Sequence, residues 1–327
     1  MAKPVIFSGI QPTGNLHIGN YLGAVKNWVE LQNSGQYDCY FFIADYHSLT
    51  GQDSADERRT KIQTLAAELV ALGIDPESTT FFVQSHVAEH TELAWIFNSI
   101  TPIAELQRMT QFKDKSVQQE KNINAGLLTY PILQAADVLL YRPALIPVGK
   151  DQEQHLELTN DIVRLFNKRY GEYFQMIKPI FTELPRVMSL LEPSKKMSKS
   201  LGAGHVIELC EEPTQIETKL KKAVTATEGG GQAPGAANLL LLLKQFGSAE
   251  AYNTFAKSEK DGTIRYGDLK QELTRSIGDY FRDFRARRAE LLANPKQLHG
   301  ILETGARKAQ KVAAATMQMV RQLVGIR

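Results

Sequence analysis

Two lysines three residues apart, Lys196 and Lys199, carry the clearest chemical signal in the sequence. They belong to the string Lys-Lys-Met-Ser-Lys-Ser at residues 195–200, which follows a strand-like run at 186–190. A lysine ammonium is a compact charge on a long stem, so two of them on a loop can follow a phosphoryl group as it moves. A charge run alone is usually solvated surface, but this string predicts a polyphosphate site.

A turn rich in glycine and proline is the second candidate phosphate site. Residues 8–20 read Ser-Gly-Ile-Gln-Pro-Thr-Gly-Asn-Leu-His-Ile-Gly-Asn and join a strand to a helix. Glycine lets a ligand approach the backbone, and the N-terminus of a helix carries a partial positive charge that favours phosphate. His17 and Asn20 add polar groups there. The turn is neither a Walker A loop nor a GxGxxG dinucleotide turn.

A third pattern, His86-Val-Ala-Glu89-His90, fits the His-x-x-Glu-His arrangement of inverted zinc proteases. On a helix, His86 and His90 would lie one turn apart and could bind zinc. Three fixed positions in five residues arise often, and no pattern identifies a third ligand. A zinc metalloprotease is therefore a distant alternative, and we expect no protein-bound metal.

The elements that must position these residues alternate between strands and helices over the first 190 residues. Runs rich in β-branched or aromatic residues predict strands at 5–8, 39–44, 80–83 and 144–148. An apolar face recurs at helical spacing at Ile18, Leu22, Val25 and Val29. Helix starts and stops are signalled by Ser54 with Glu57, by Gly73, and by Asp151 with Gln154. The alternation predicts a doubly wound parallel α/β sheet that binds ligands at the carboxyl ends of its strands.

The pattern becomes all-helical after about residue 190. We predict a Rossmann-like catalytic domain over residues 1–190 and a second unit over 191–301, which holds the lysine loop and a helical domain. The C-terminal helix, about 302–327, is expected to pack back on the first domain. No internal repeat is visible in the sequence.

Composition and charge narrow the class of protein. The chain has 327 residues, 43% hydrophobic and 23% charged, and a net charge of +2. Residues 257–327 carry 15 Lys and Arg against 8 Asp and Glu, a skew that suggests a polyanionic partner. Only Cys39 and Cys210 are present, and no leader or membrane-length apolar run is visible. We expect a cytoplasmic protein without membrane contact.

The turn at residues 8–20 and the lysine string at 195–200 together resemble the paired motifs of class I aminoacyl-tRNA synthetases. The contexts at 8–24, 126–141 and 148–155 are similar to tryptophanyl-tRNA synthetases of the bacterial type. The resemblance covers the whole chain and is strongest over residues 4–200. It implies a Rossmann-like catalytic domain, a helical anticodon-binding domain, a homodimer, Mg²⁺ with ATP, and tRNA(Trp) and L-tryptophan as substrates.

The resemblance also implies which residues bind ATP. Lys196, Lys199, Lys115 and His17 are the expected catalytic residues at the phosphates. The remaining expected ATP contacts are Gln11, Pro12, Thr13, Gly19, Asn20, Gly149, Lys150, Asp151, Val187, Met197, Ser198 and Ser200. Because the substrate carboxylate is already a nucleophile, the protein is expected to supply positioning and charge stabilisation rather than a covalent residue.

For the amino acid, the expected contacts are Asp137, Tyr130, Gln152, Phe7 and His47. An indole N–H in an apolar pocket requires an acceptor, and the carboxylate of Asp137, set among leucines and a valine, would provide it. Gln134 stands where the bacterial tryptophanyl enzymes often have Met and the tyrosyl enzymes commonly have Gln. A tyrosyl-tRNA synthetase is therefore the nearer alternative, although Phe7 lacks the hydroxyl that would bind tyrosine.

A third alternative is a catalytically silent relative that only binds tRNA. Lys196 and Lys199 are both present, and binding alone would not need a loop that grips phosphate. The sequence therefore favours an active enzyme.

Overall fold

The fold is built on a five-stranded sheet in which the paired strands are all parallel. A computed structural model describes residues 3–110, 123–143, 145–148, 153–181, 185–225 and 234–326. Its strands are β1 (Val5–Ile10), β2 (Asp38–Ile43), β3 (Thr79–Val83), β4 (Leu145–Val148) and β5 (Lys178–Phe181). Their order across the sheet is β3-β2-β1-β4-β5. The doubly wound α/β fold predicted from the sequence is confirmed.

The strand predictions differ from the structure mainly at the far edge of the sheet. The four predicted strands are present, with bounds shifted by one or two residues. Strand β5 was not predicted, because only two of its four residues, Ile180 and Phe181, favour a strand, and it lies at the edge of the sheet. The strand-like run at 186–190 forms only a one-residue bridge between Met188 and Lys196.

Helices cover both faces of the sheet. In chain order they are α1 (Ile18–Asn20), a π-helical turn (Tyr21–Val25), α2 (Lys26–Asn33), α3 (Asp45–Ser48), α4 (Ala55–Ala71), α5 (Glu89–Asn98), α6 (Ile103–Gln107), α7 (Ala125–Leu140), α8 (Glu153–Tyr170), α9 (Pro213–Lys222), α10 (Pro234–Phe246), α11 (Ala249–Lys260), α12 (Tyr266–Tyr280), α13 (Arg282–Ala293) and α14 (Pro295–Val324). Single 3₁₀ turns lie at Gln84–His86, Lys199–Leu201 and Ala203–His205. None of the helices in the described ranges combines the length and the apolar character that a membrane crossing needs.

The local signals for helix ends act as the sequence predicts. The Ser54 hydroxyl accepts a hydrogen bond from the Glu57 N–H, and the Glu57 carboxylate accepts one from the Ser54 N–H. Gly73, with φ +110°, follows the end of α4. The second predicted capping pair includes Asp151, which lies outside the described residues.

Two clusters of buried apolar side chains, one on each face of the sheet, form the core. The first runs from Ile6 and Phe41 in the sheet into Leu239 and Leu273 of the helical region. The second unites α5, α7, α8 and α14 with the other face. The helices after residue 190 therefore share a core with the sheet. The domain bounds at 1–190 and 191–301 stay predictions.

The long helix α14 returns to the sheet and packs against β3. Gly305 permits this approach, because an added Cβ would lie 1.7 Å from the carbonyl oxygen of Phe81. At its other end, Arg321 forms two hydrogen bonds with the carboxylate of Glu92 in α5, at 2.8 and 2.5 Å. The helix is thus held by a backbone-to-backbone contact and a two-pronged ion pair.

Gly305→Ala should destabilise the fold, because the methyl group has to displace the backbone of β3. We expect the free energy of unfolding to fall by about 1–3 kcal/mol. Gly300→Ala in the same helix is the matched control, since an added Cβ there meets nothing within 4 Å, and it should gain up to about 1 kcal/mol. Chemical denaturation of both variants tests this; equal stabilities would contradict the packing argument.

Candidate active site

The sheet creates a crevice where its strand order reverses. The chain proceeds from β1 outward through β2 to β3, and then places β4 on the opposite side of β1. The helices that follow β1 and β4, α2 and α8, pack in apolar clusters on opposite faces of the sheet, and open α/β sheets bind ligands between the carboxyl ends of such strands. The predicted phosphate turn follows β1 directly, so it borders this crevice. Gln11, Pro12 and Thr13 form its first part, and Gly19 and Asn20 belong to α1.

Lys199 reaches this turn from 184 residues further along the chain. Its ammonium donates hydrogen bonds to the backbone carbonyls of Asn15 at 2.7 Å and Thr13 at 3.1 Å. Gly14 lies between them with φ +103°, and a Cβ there would lie 3.0 Å from the Lys199 Nζ. Burial lowers the pKa of Lys199, while Glu208 and Glu68 act in the opposite direction. The structure thus brings the two predicted phosphate-binding motifs together.

The lysine loop is anchored by the residue between its lysines. Met197 is buried, and its N–H donates to the carbonyl of Val187 at 3.0 Å. Ser198 caps the following turn by accepting from the Ser200 N–H. Lys196 is exposed. Both lysine charges lie close enough to His17 to act on its ring, and among the described residues neither lysine forms an ion pair with a carboxylate.

His17 is a buried imidazole beside these lysines. The backbone N–H of His17 donates to Asn20 Oδ1 at 3.1 Å, and the ring Nδ1 is buried without a hydrogen-bond partner among the described residues. Burial, together with the charges of Lys199 and Lys196, lowers the pKa of His17 from 6.5 to about 4. At neutral pH the ring is therefore uncharged, and it can serve a phosphate as a hydrogen-bond donor.

A buried carboxylate forms the second centre of the site. Asp137, 1% exposed in α7, accepts hydrogen bonds from His47 Nε2 at 2.7 Å, His90 Nδ1 at 2.6 Å and Gln84 Nε2 at 2.6 Å. Burial acts to raise the pKa of Asp137, but the hydrogen bonds and charges of His47 and His90 outweigh it and hold the pKa below its ordinary value. Asp137 is therefore an ionised acceptor in an apolar region.

The donors around Asp137 determine which of its oxygens can bind a further group. Oδ1 accepts from Gln84 and His90, whereas Oδ2 accepts only from His47 among the described residues. Each carboxylate oxygen can accept about two hydrogen bonds. Oδ2 thus keeps one acceptor position, and its one donor, His47, also lines the neighbouring cavity.

His90, Gln84 and Tyr141 belong to this centre, although the sequence analysis did not assign them to it. His90 Nε2 contacts the Tyr141 hydroxyl at 2.9 Å while its Nδ1 contacts Asp137. Since the carboxylate can only accept, Nδ1 of His90 carries a proton, and the ring is held between Asp137 and Tyr141. Burial, followed by the Asp137 charge, raises the pKa of Tyr141 well above its usual range. Gln84 comes directly after β3, so burial of that strand was the available signal.

The same geometry shows that the zinc alternative is wrong. His86 ends a 3₁₀ turn and is exposed, whereas His90 lies in α5 with both ring nitrogens engaged in hydrogen bonds. In the described part of the chain, no group of three or more His, Cys, Asp or Glu side chains could hold a metal ion. The pair is therefore not a zinc site, and His90 orients Asp137 instead.

A cavity of about 330 Å³ is lined by two of the predicted tryptophan contacts, His47 and Tyr130, and His47 connects it to Asp137. Tyr130 contacts His155 Nε2 through its hydroxyl at 3.1 Å, and burial raises its pKa to about 12. Phe7 is not part of this lining. Its ring is stacked between Phe42 at 4.8 Å and Tyr141 at 4.9 Å, so it supports the Asp137 network from behind.

Five predicted site residues cannot be placed. Lys115, Gly149, Lys150, Asp151 and Gln152 lie outside the described residues. The remaining predicted residues form two groups, the turn with its lysine loop and the network around Asp137. The first presents ammonium groups and a neutral imidazole that suit phosphate, and the second presents a buried acceptor beside a cavity.

Comparison with known proteins places this arrangement among proteins that charge tRNA. The profile of the family described as tRNA synthetases class I (W and Y) matches residues 1–282. The chain is 44% identical to a tryptophan–tRNA ligase of Bacillus anthracis over 98% of each chain. It is 43% identical to tryptophan–tRNA ligase 2 of Streptomyces avermitilis, over 99% of this chain and 97% of that protein.

Solved structures give the same picture. The tryptophanyl-tRNA synthetase of Campylobacter jejuni, in complex with ADP and tryptophan, superposes with a TM-score of 0.87 and 32% identity over 98% of this chain and 99% of that one. The tyrosyl-tRNA synthetase of Archaeoglobus fulgidus, with L-tyrosine, superposes with a TM-score of 0.68 at 21% identity. It covers 88% of this chain and 90% of that one, and at this identity it shares only the fold.

The low pKa of His17 predicts a pH dependence of stability. The unfolded chain takes up a proton at His17 near pH 6.5, whereas the folded chain does so only near pH 4. Stability should therefore fall as the pH drops through this window, by up to about 3 kcal/mol from this residue. His17→Gln should remove that loss, and His299→Gln, which alters an exposed ring, should not. Denaturation curves between pH 7 and 4 test this; a pH-independent difference between wild type and His17→Gln would refute it.

Proposed function

The chain belongs to the class I tRNA synthetases for tryptophan and tyrosine, and from this membership we infer that it is a tryptophan–tRNA ligase. It activates L-tryptophan with ATP to tryptophanyl-AMP and pyrophosphate, and then transfers the amino acid to tRNA(Trp). The observation that carries this function is the full-length identity of 42–44% to tryptophan–tRNA ligases. The contact of Lys199 with the phosphate turn supports the ATP-dependent step.

The proposed first step needs no covalent group on the protein. A carboxylate oxygen of tryptophan attacks the α-phosphorus of ATP, the bond to the bridging oxygen breaks, and pyrophosphate leaves. Lys196 and Lys199 stabilise the negative charge that builds on the leaving group. His17, uncharged at neutral pH, donates a hydrogen bond to a phosphate oxygen. The terminal ribose hydroxyl of the tRNA then attacks the adenylate carbonyl, and AMP leaves.

The ATP contacts at Gln11, Pro12, Thr13, Gly19 and Asn20 follow from the position of the turn at the carboxyl end of β1. Val187 and Met197–Ser200 contribute from the lysine loop. Lys115, Gly149, Lys150 and Asp151 are proposed on sequence grounds. Magnesium enters as part of the substrate, bound by the phosphates of ATP, since Mg²⁺ in such sites is held largely by substrate phosphates and water.

Tryptophan is proposed to bind beside Asp137. Oδ2 keeps an acceptor position next to His47, and a site built around one buried acceptor discriminates strongly against substrates that lack the matching donor. Tyr130 contributes its hydroxyl, and Gln152 completes the amino-acid contacts on sequence grounds. Phe7 acts by supporting Tyr141 rather than by touching the indole.

The partners of the chain follow from its surface. The helices after residue 257 carry the excess of basic residues, which suits the tRNA backbone. A homodimer is proposed because two apolar side chains that lie together at the surface, Trp95 (75% exposed) and Leu49 (54% exposed), are open to solvent. The proposed location is the cytoplasm, which fits two free cysteines that form no disulfide.

Lys199→Ala should slow adenylate formation by about a hundredfold while changing the Kd for ATP about threefold or less, because its bonds strengthen as pyrophosphate leaves. Lys195→Ala is the matched control, since that lysine pairs with Glu192 at the surface. Rapid-quench measurement of the adenylate tests both. A rate within twofold of wild type for Lys199→Ala would exclude the assigned role.

Asp137→Asn should reduce kcat/KM for tryptophan by about ten- to a hundredfold, because one charge-assisted hydrogen bond becomes a neutral one. The NH₂ group of the new asparagine side chain would also face one of the three donors that now point at the carboxylate. Discrimination between tryptophan and its benzothiophene analogue, which lacks the N–H, should shrink in parallel. ATP–pyrophosphate exchange measures both, with the surface change Asp161→Asn as control. If Asp137→Asn kept full discrimination, or if the wild type preferred tyrosine, the tryptophan site would have to be reassigned.

A further inference from the structure

A fully buried carboxylate, Glu68, lies behind the phosphate turn. It belongs to α4 and is 0% exposed. Its Oε2 accepts the backbone N–H of Leu16 at 2.7 Å, and its Oε1 accepts Arg288 Nε at 2.9 Å. Leu16 is the residue before His17, and Arg288 belongs to α13 in the helical region. One side chain therefore joins the turn to a helix that lies 220 residues further along the chain.

Stability alone does not explain this ion pair. Removing two charges from water costs free energy, and well-packed apolar residues in their place are often as stable or more so. Burial raises the pKa of Glu68, while the Leu16 N–H and Arg288 act against that rise. Unlike apolar side chains, the charged pair forms hydrogen bonds of defined direction. The Glu68 carboxylate therefore holds a backbone N–H of the turn and the guanidinium of Arg288 in one geometry.

The guanidinium extends the connection to Asn15. Arg288 Nη2 donates to Asn15 Oδ1 at 3.2 Å, and Asn15 Nδ2 donates to Glu208 at 2.9 Å. Both ends of the Asn15 amide are thus held by residues of the region after 190. The backbone carbonyl of the same residue is the closer of the two acceptors of Lys199.

We propose that Glu68, Arg288 and Asn15 are positioning residues for ATP activation, through which α13 sets the backbone of the phosphate turn and thereby the position of Lys199. This rests on the proposed function. The three residues touch no substrate, and they act by holding the carbonyls that place the Lys199 ammonium at the crevice. A helix of the region expected to bind tRNA is in this way joined mechanically to the ATP site.

The inference predicts a selective kinetic effect. Arg288→Met should reduce kcat/KM for ATP by about ten- to a hundredfold, since small misplacements of a catalytic group have effects of this size. The KM for tryptophan should stay within about twofold, because Asp137 belongs to α7, whose apolar side chains, Ala136 and Val138 among them, pack in the cluster on the other face of the sheet. Arg287→Met is the matched control at the neighbouring exposed arginine.

Two further variants separate positioning from mere support of the fold. Asn15→Ala removes the hydrogen bonds of the Asn15 side chain to Arg288 and Glu208, and it leaves the buried Glu68–Arg288 pair intact. It therefore keeps the test valid if Arg288→Met does not fold. Arg288→Lys can restore the pair with Glu68 but not the fork to Asn15, so it should recover activity only in part. In a Lys199→Ala background, the effect of Asn15→Ala should fall to about threefold or less, because residues acting through one group are not additive.

A readout that is independent of catalysis distinguishes failure of this inference from failure of the proposed function. Acylation of lysine amines by acetic anhydride, followed by mass spectrometry, should show Lys199 protected in the wild type and several times more reactive in Arg288→Met and Asn15→Ala. Lys195 is the internal standard. If labelling of Lys199 increased in the variants but the wild type did not exchange pyrophosphate, the positioning role of Glu68, Arg288 and Asn15 would be supported and the proposed function rejected. Unchanged labelling together with an unchanged kcat/KM for ATP would overturn the inference.

Discussion

The reversal of strand order beside β1 is the constraint on which the rest of the structure depends. Because β1 pairs with β2 on one side and β4 on the other, the helices that follow β1 and β4 pack on opposite faces of the sheet, and the carboxyl ends of these two strands frame the crevice in which open α/β sheets bind ligands. The turn follows β1 directly at this edge of the sheet, so its glycines and polar groups border the crevice. The segments after β2 and β3 leave the same edge and carry His47 and Gln84 to Asp137.

Each half of the site places charge where the surrounding apolar packing prevents water from screening it. Around Asp137, three donors keep the carboxylate ionised despite full burial, and Tyr141 and Phe7 support them from behind. At the phosphate turn the charge is positive and its partners are acceptors. Backbone carbonyls accept hydrogen bonds from Lys199, and the buried carboxylate of Glu68 holds the turn in place. In both cases the groups are oriented before a substrate arrives, which is the condition for electrostatic stabilisation of a transition state.

The sequence predicted the local features well, and missed those that depend on distant partners. Strands β1 to β4, the capping box at Ser54 and the burial of Asp137 follow from patterns within a few residues. His90 was read as half of a zinc motif, because its true partners, Asp137 and Tyr141, lie 47 and 51 residues away. Arg288 could not be linked to Glu68 from periodicity, since only the folded chain brings α13 against α4. Strand β5 was missed because only Ile180 and Phe181 of its four residues favour a strand.

The most direct test of the central claim is to identify the amino acid that the wild-type protein attaches to tRNA. The protein would be incubated with ATP, Mg²⁺, total bacterial tRNA and an equal mixture of the twenty amino acids, and the esterified amino acid would be identified by mass spectrometry. We expect tryptophan, on tRNA(Trp) alone and only when ATP is present. Tyrosine on tRNA would contradict the assigned specificity, and the absence of any charged tRNA would contradict the assigned activity.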